Sequence, residues 1–549
     1  MGLISFLAFT LVVAGYSWWK TRDTDEKSAD GFYLGGRSLG ALTIAGSLLL
    51  TNLSAEQIVG LNGQAFAEGI LVMAWETLAA IAIVITALYL LPKYMHKGIT
   101  TIPEFVEERF DSWTRSILAI LFLIAFGVVL LPTILYSGSL AFSTMFDLPE
   151  LLGMTESNVI ILCVWTIGII GIIYAIFGGL KAVAVSDLIN AIGLLIGGLL
   201  IPYFGLKLIG DGSVGAGLNE LWTENQDKFE LTGDASTSIP ATGMILTGMM
   251  IAQVYYWGTN QSILQRVFGA TSLKEGQKGM MIAAFVKFII PVIVVLPGII
   301  AWNVFDGNLD SADKAYPQLV KEVLPPALVG FFAAVLFGAV LSSFNSLLNS
   351  SATLFGFDLY KKFFNQEASE EKAVKSGKYF GLGLAIISMI IAPFIAKADA
   401  GLFAYIQEAL GSLSVPILAV VLVGILTKKV PALGAKIVLI SGVVMYVFTV
   451  IVRSDNWESA LANAKANGVT DKLELAQIKI NTFPFHFLET MAWLFFINII
   501  IMLVIGLIKP KTDIYVPKQT DAIDTTPWKY AWIVGMLIVI LVLSTYLIF

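Results

Sequence analysis

Five stretches of this chain, residues 117–146, 157–180, 235–265, 323–357 and 530–549, run for at least 20 residues without a charged side chain. A run of that length crosses the hydrocarbon core of a bilayer as one helix, because in lipid each backbone amide must find its partner within its own segment. The runs are continuously apolar rather than alternating, which predicts helices and excludes the strands of a membrane barrel. Hydrophobic residues make up 57% of the chain and charged ones only 13%, against about 25% charged in ordinary soluble domains. A soluble enzyme, a disordered chain and a coiled coil are thereby excluded. The single Cys163 rules out an internal disulfide, and His96 and His486 alone leave little for a zinc or haem site. A net charge of −6 spread over short loops gives nucleic acid nothing to bind. The first apolar segment lacks a basic leader and a small-residue cleavage site, so it reads as an uncleaved span.

Hydropathy predicts fourteen spans, at 2–19, 38–67, 69–92, 116–145, 157–178, 184–208, 240–266, 279–303, 325–358, 378–397, 400–427, 431–452, 484–508 and 529–548. With both termini outside, 24 of the 34 Lys and Arg fall on inner loops and nine on outer loops, while Lys287 lies within a span. That is the bias cytoplasmic loops carry. The longer loops 209–239, 304–324 and 453–483 all fall outside, and none is large enough for an enzyme domain. No phosphate-binding loop of the G-x-x-x-x-G-K-[ST] type occurs, which disfavours an ATP-driven pump.

Polar groups in a span are costly, so the spans that carry them are informative. The second reads SLLLTNLSAEQIVGLNGQAF, with Thr51, Asn52, Ser54, Glu56 and Gln57 in mid-span. It is either a broken helix or a polar stripe packed on its neighbours. The seventh, MMIAQVYYWGTNQSILQR, is interrupted at Gln253, Tyr255, Tyr256, Trp257, Gly258, Asn260 and Gln261. Paired interruptions in corresponding positions of two halves point to a transporter built from inverted repeats. Setting the first span aside, spans 2–6 and 7–11 form two five-helix repeats, each opened by an interrupted segment. The chain then divides into 1–37 (an extra span and loop), 38–208 (repeat one), 209–239 (outer loop), 240–452 (repeat two and the following span) and 453–549 (outer loop and two spans).

Glu76 and Lys287 sit deep in the third and eighth spans. A wet cavity tolerates such charges, with Lys as donor and Glu as acceptor for a polar ligand; a buried structural ion pair is the alternative. In the eleventh span, GLFAYIQEALGSLSVP, helical spacing sets Phe403 and Gln407 on one face beside Tyr405 and Glu408. This suits a sugar, whose apolar face stacks on aromatic rings while its hydroxyls take amides and carboxylates. The ninth span, charge-free to Phe357, carries Ser342, Ser343, Asn345, Ser346, Asn349, Ser350, Ser351 and Thr353. Hydroxyls there either glue helices together or, for the first pair, join backbone carbonyls around Na⁺. Asp187 opens the sixth span, where it is expected to cap the helix or sit at a solvated interface.

Together NLSAEQIVG, KGITTIPEFVEERF, FGGLKAVAVSDLINA, VYYWGTNQSILQR, DKAYPQLV, LSSFNSLLNSSATLFGFDLYKK and YIQEALG resemble the sodium/solute symporter family, most closely its sodium–sugar branch. The resemblance implies an all-α, multi-pass membrane protein of the leucine-transporter type, with one span before the ten core helices and three after. It implies that Gln57, Glu76, Gln253, Lys287 and Gln407 bond the sugar, that Tyr256 stacks on it from the inner side as a gate with Trp257 beside it, and that Leu61, Trp75 and Phe403 form the outer gate. It implies a Na⁺ site from the carbonyls of Leu50, Leu53 and Ala339 with the hydroxyls of Ser342 and Ser343, and a second Na⁺ near Asp187, Ser342, Asn345 and Ser346. Galactose-transporting members have Ser, Asn and Tyr where this chain has Ala79, Gln253 and Trp75, so galactose is not preferred over glucose here.

The function expected is Na⁺-driven uptake of a hexose by alternating access, in a bacterial inner membrane, with Na⁺ as the co-transported ion and no organic cofactor. The partners expected are a sugar, Na⁺ and the lipid bilayer, with no nucleic acid. The rivals are a symporter of the same fold for an inositol, sialic acid or an amino acid, and a non-transporting sugar sensor. A membrane enzyme is not expected, because no nucleophile–base pair or metal cluster stands among the buried polar residues.

Overall fold

The computed structural model describes residues 2–21, 29–177, 180–231, 245–397, 402–467, 485–512 and 523–548, with residues 233, 237, 239, 469, 478 and 515 between them. The start of the expected seventh span (240–244) and most of residues 470–483 of the expected outer loop 453–483 lie outside the described residues. Helices α1 (Gly2–Thr21), α2 (Ala41–Asn52), α3 (Ala55–Glu68) and α4 (Ala74–Ile85) open the chain. They are followed by α5 (Ser112–Met145), which holds a short π-helical turn, then α6 (Glu156–Phe177) and α7 (Leu180–Ile209). The second half begins with α8 (Met250–Thr259), α9 (Gln261–Phe268), α10 (Leu273–Ile289), α11 (Leu296–Val304), α12 (Pro326–Thr353) and α13 (Glu370–Ile391). It ends with α14 (Leu402–Leu426), α15 (Ala432–Ala466), α16 (Phe487–Ile508) and α17 (Ala531–Ile548). Among the described residues there is no strand, only two isolated bridges, Leu39 with Ala270 and Ser272 with Asp524.

Among the described residues nine helices are long and apolar enough to cross a membrane, or ten if α10 and the segment Pro291–Val304, which contains α11, count as one span bent by 46°. The bend falls at Pro291, which lacks the amide needed to continue the ladder. Shorter apolar stretches are Ile4–Ser17 in α1, Ala41–Asn52 (α2) and Ala531–Leu547 in α17. Large apolar side chains such as Ile4, Leu11, Phe448, Trp493, Leu507 and Leu547 are exposed, which in a bundle of this composition is the surface lipid covers.

The loops gather at two ends. At the lysine-rich end Arg37 donates to the carbonyls of Phe268 (3.3 Å) and Gly98 (3.0 Å), the Ala41 amide donates to Glu275 (3.0 Å), Arg115 pairs with Asp358 (2.5 Å) and Lys436 with Asp111 (2.7 Å). At the other end Lys314 pairs with Glu156 (3.0 Å) and Lys321 with Asp147 (2.5 Å).

Four expectations about charge are corrected. Arg266 and Arg453, counted with the loop charges at the ends of the seventh and twelfth spans, are buried inside the bundle, Arg266 against α2 and α12 and Arg453 in an ion pair with Glu408. Lys228, counted among the outer-loop charges, donates to the carbonyls of Phe66 (3.3 Å) and Ala67 (2.8 Å) at the end of α3, with its ammonium 3.6 Å from the centre of the Trp302 ring. Those carbonyls lack intrahelical partners, so a cation there satisfies them and meets the negative end of the helix dipole. Asp187 does not cap a helix, because α7 begins seven residues earlier and the carboxylate is buried against Ser47 of α2 (2.7 Å). Charge counting along a sequence cannot separate these cases, since each depends on a partner distant in the chain.

Candidate functional site

Two helix breaks organise the centre of the molecule. After Asn52 the chain leaves helical geometry at Leu53 (ψ 59°) and is extended at Ser54 (ψ 179°) before α3 starts. Serine and asparagine here compete for backbone groups, as their side chains do at helix ends. The second break falls at Asn260 (ψ 124°), whose side-chain oxygen accepts from the Ser262 amide at 2.9 Å and so caps α9. The broken-helix reading of the second span therefore holds over the packed-stripe alternative.

Between the breaks lies a partly enclosed cavity lined by side chains of α2, α3, α4, α5, α8, α10 and α14. Of the residues expected to bind sugar, Gln57, Glu76, Gln253, Tyr256, Trp257, Lys287 and Gln407 all line it. Glu76 of α4 is the hub. One carboxylate oxygen accepts from Lys287 of α10 and the other from the Gln57 amide of α3. Both charged residues are fully buried. Gln253 donates to the Trp75 carbonyl at 2.7 Å, and the Lys287 ammonium stands 5.7 Å from the centre of the Trp257 ring. Tyr256 meets Trp257 edge-on, with centroids 5.3 Å apart. Carboxylate, ammonium, amides and aromatic faces thus surround one space, which offers both donors and acceptors to a polar solute.

The cavity is covered on the side of Phe403. That ring meets Trp75 edge-on at 5.4 Å, and a Cβ added at Gly60 would stand 2.9 Å from the Cβ of Phe403. Only glycine lets α14 approach α3 this closely. Leu61 is fully buried but does not line the cavity.

Next to the first break, the Ser343 hydroxyl of α12 donates to the carbonyls of Leu50 (3.3 Å) and Thr51 (3.0 Å) at the end of α2. These last-turn carbonyls have no intrahelical partner and carry the negative end of the helix dipole. Leu53 forms the break itself, and Ala339 is fully buried one turn from Ser343. The Ser342 hydroxyl stands beside the Asp187 carboxylate, and both amide atoms of Asn345 are buried without a hydrogen-bond partner among the described residues. Ser346 is engaged by the Arg266 guanidinium, which also donates to Thr51 Oγ1 (3.0 Å) and the Ser262 carbonyl (2.8 Å).

Sequence reasoning missed some of the lining. Asn52 and Glu56 face the cavity, and among the described residues Asn52 Oδ1 and Glu56 Oε2 have no hydrogen-bond partner. Both had been noted as polar residues in mid-span, and the signal that could have selected them is their position astride the break. Glu408, grouped with Gln407, instead points to Arg453 of α15. The Thr51 carbonyl joins that of Leu50 at Ser343, a contact visible only once α12 is packed on α2.

At the covered end Asp313 joins two elements of the site. Its Oδ2 accepts from the Leu402 amide (3.2 Å) at the start of α14, and its Oδ1 would lie 3.0 Å from a Cβ at Gly63 of α3. Burial raises its pKa from 3.8 to about 6, against the lowering effect of the Leu402 amide. The folded protein thus holds this proton where the unfolded chain has lost it, so the contribution of Asp313 to stability falls as pH rises from about 4 to about 6 and is level above that. The stability of Asp313→Asn relative to wild type is expected to rise over that interval, measured by thermal unfolding in detergent at pH 4 and pH 7. A difference independent of pH would show that Asp313 does not titrate in this window.

The comparisons with known proteins agree with this geometry. The model of the family described as "Sodium:solute symporter family" matches residues 32–442. An uncharacterized symporter, YidK of Escherichia coli (strain K12), is 42% identical over 99% of this chain and 90% of its own length. A sodium/glucose cotransporter of Vibrio parahaemolyticus is 34% identical over 81% of this chain and 84% of its own. The human sodium/myo-inositol cotransporter 2 is 29% identical, over 81% and 68%. In fold, the chain superposes on a Na⁺-coupled sialic acid symporter with a TM-score of 0.69 and 19% identity, covering 93% of this chain and 98% of that one.

Proposed function

This chain belongs to the sodium:solute symporter family, and we propose that the solute it carries is a hexose such as glucose or galactose, taken up with inward-moving Na⁺ by alternating access. The observation that carries the reading is the buried Glu76–Lys287 pair opening onto one cavity with Gln57, Gln253, Gln407 and the rings of Tyr256, Trp257 and Phe403. Sugar hydroxyls both donate and accept, and this lining offers both in quantity. Two carboxylates, Glu56 and Glu76, against the one ammonium of Lys287 make the cavity unfavourable to an anion, which argues against sialic acid. The name of the Vibrio relative supports glucose as the first sugar to test.

The ion is placed between the end of α2 and Ser343 of α12, with the carbonyls of Leu50, Leu53 and Ala339 and the hydroxyl of Ser342 completing the shell. Ser346 already accepts from Arg266, so a guanidinium supplies the positive charge a second Na⁺ would bring there, and one ion per cycle is the simpler stoichiometry. The lysine-rich end is cytoplasmic by its charge, and the Escherichia coli relative supports a bacterial inner membrane. Phe403, Trp75 and Leu61 close the outer side, and Tyr256 closes the inner. Na⁺ holds the break at Leu53–Ser54 in the form that completes the sugar cavity. Coupling then follows from the different sugar affinities of the two states. One Na⁺ crossing the membrane gains about 2.3 kcal/mol per 100 mV, enough for roughly fifty-fold accumulation.

The test is uptake of labelled glucose, galactose and myo-inositol into proteoliposomes with and without an inward Na⁺ gradient. Hexose uptake that requires the gradient is expected. Na⁺-dependent uptake of myo-inositol with neither hexose would keep the symporter and reject the sugar. Hexose binding without accumulation under any gradient would reject transport in favour of a sensor.

A further inference from the structure

Helix α6 touches its neighbours closely at two glycines. A Cβ at Gly168 would collide with the Met389 sulfur of α13, and one at Gly171 would stand 2.5 Å from the Phe344 ring of α12. Glycine alone permits this approach. One turn nearer the lysine-rich end the helices no longer close on each other. Ile172 and Ala175 of α6 form one wall of a crevice there, Lys378 and Leu382 of α13 form the other, and Asn349 and Ala352 of α12 form the floor. The walls are half-buried. Their neighbours Ile173 and Tyr379 are exposed on the apolar outer surface of the bundle, so the crevice opens to lipid.

Two features of the crevice call for more than an acyl chain. Asn349 is 7% exposed, and neither of its amide atoms has a hydrogen-bond partner among the described residues. A bare amide under hydrocarbon is costly unless a bound molecule supplies its partner. The second feature is charge. Lys378 stands at the rim, and the exposed Lys375 and Lys372 precede it at the three-residue spacing that keeps neighbours on one side of a helix. Glu370 and Glu371 lie beyond them, in the first turn of α13. A Cβ at Gly381 would lie 3.7 Å from the Leu348 carbonyl, which sets Asn349 level with Gly381. The amide is then about 4.5 Å deeper in the membrane than Lys378, at 1.5 Å per residue. A phospholipid has its groups in the same order, with the phosphate at the interface, the ester carbonyls just beneath it and the acyl chains below those.

We propose that the crevice between α6, α12 and α13 binds an anionic phospholipid of the cytoplasmic leaflet, with its phosphate at Lys378 and Lys375, an ester carbonyl on the Asn349 amide and one acyl chain along Ile172 and Leu382. The leaflet follows from the orientation of the preceding section, and the site itself from the crevice. The lysines select for charge, an attraction that salt screens. The Asn349 amide donates to the ester whatever the headgroup. A lipid held between three helices binds the folded protein alone and therefore stabilises it.

The test uses the full chain in detergent with three probes: dioctanoyl phosphatidylglycerol, dioctanoyl phosphatidylcholine and glycerol phosphate. Thermal unfolding and native mass spectrometry of retained lipid give the readouts, and neither depends on which solute is carried. Phosphatidylglycerol is expected to raise the unfolding temperature and to bind at least about tenfold more tightly than phosphatidylcholine, since each lysine near an anionic headgroup contributes about fivefold. Glycerol phosphate, which has no chains, should do neither. Lys375→Gln/Lys378→Gln should weaken phosphatidylglycerol binding about tenfold or more and leave phosphatidylcholine binding within about twofold. Asn349→Leu should weaken both lipids, because it removes the ester contact and no charge. Lys428→Gln/Lys429→Gln, an equal loss of charge at the same end of the molecule but off the crevice, should leave binding within about twofold. Equal binding of the two lipids, or stabilisation by glycerol phosphate alone, would overturn the site. So would equal losses in the two lysine pairs, which would reduce the effect to the charge of the whole face. Unchanged phosphatidylglycerol binding in a folded Asn349→Leu would put the lipid outside the crevice, and if that variant does not fold the two lysine pairs decide.

Discussion

Glu76→Gln is expected to lower Na⁺-driven hexose uptake by at least about a hundredfold, the largest effect of any single change in the cavity. Three groups meet at this carboxylate: the Lys287 ammonium on one oxygen, the Gln57 amide on the other, and the space for a ligand between them. Breaking a buried pair from one side leaves the other charge uncompensated, which costs about 3–5 kcal/mol. A site built to bond a hydroxyl also loses discrimination steeply when that bond is lost. The variant is therefore expected to be both less stable and inactive, and inactivity alone would not identify a ligand-binding role. The double variant Glu76→Gln/Lys287→Met separates the two. Removing both charges should recover most of the thermal stability, since a buried pair is often replaceable by apolar groups, yet hexose binding should stay lost. A double variant that regains transport would reduce the pair to scaffolding and move the sugar contacts to Gln57, Gln253 and Gln407. Stability and hexose binding, each measured on purified protein in detergent, give the two readouts.

The sequence yields this pair because charge inside an apolar run is a local signal. Glu76 and Lys287 stand out in their own spans, and their 211-residue separation does not hide either one. The helix breaks were legible for a related reason: Asn52, Ser54 and Asn260 interrupt hydrophobic runs with residues that prefer their own backbone, and the chain breaks at Leu53–Ser54 and Asn260. What stayed hidden depends on packing between distant segments. Glu408 looks as polar as Gln407 one residue before it, but helical geometry turns the two apart, and Arg453 of α15 takes the first while the cavity takes the second. Arg266 closes the interrupted segment and, from the sequence, counts with the basic residues of the inner loop that follows. Only the fold shows it buried between Thr51 and Ser346. Lys228 sits in a loop of mixed charge, and nothing nearby in sequence announces the carbonyls of Phe66 and Ala67 that it meets. Hydropathy registers which groups cannot face lipid, and it is silent on which of them will face each other.

Ser343→Ala is expected to raise the Na⁺ concentration for half-maximal uptake by roughly ten- to a hundredfold, the equivalent of losing one charge-assisted bond of about 1.5–3 kcal/mol. Its hydroxyl bonds the carbonyls of Leu50 and Thr51, which end α2 without helical partners. With Na⁺ bound between α2 and α12, the Leu50 carbonyl turns to the ion and the hydroxyl becomes one of its oxygen ligands, so alanine removes a ligand without adding bulk or charge. If Ser343 only fastens the two helices, the variant should lose stability and keep its Na⁺ dependence, which an uptake curve against Na⁺ at saturating hexose resolves. A second consequence tests the coupling itself. The break that exposes these carbonyls is the one that carries Asn52 and Gln57 into the cavity, so the ion and the sugar act on the same few residues. Weaker Na⁺ binding should then also weaken the dependence of hexose affinity on Na⁺, because each ligand can shift the equilibrium only by its own preference between the two states. If Na⁺ affinity falls while hexose affinity still responds to saturating Na⁺ as in the wild type, Ser343 ligates the ion without transmitting its effect. If neither changes, the ion binds away from the end of α2.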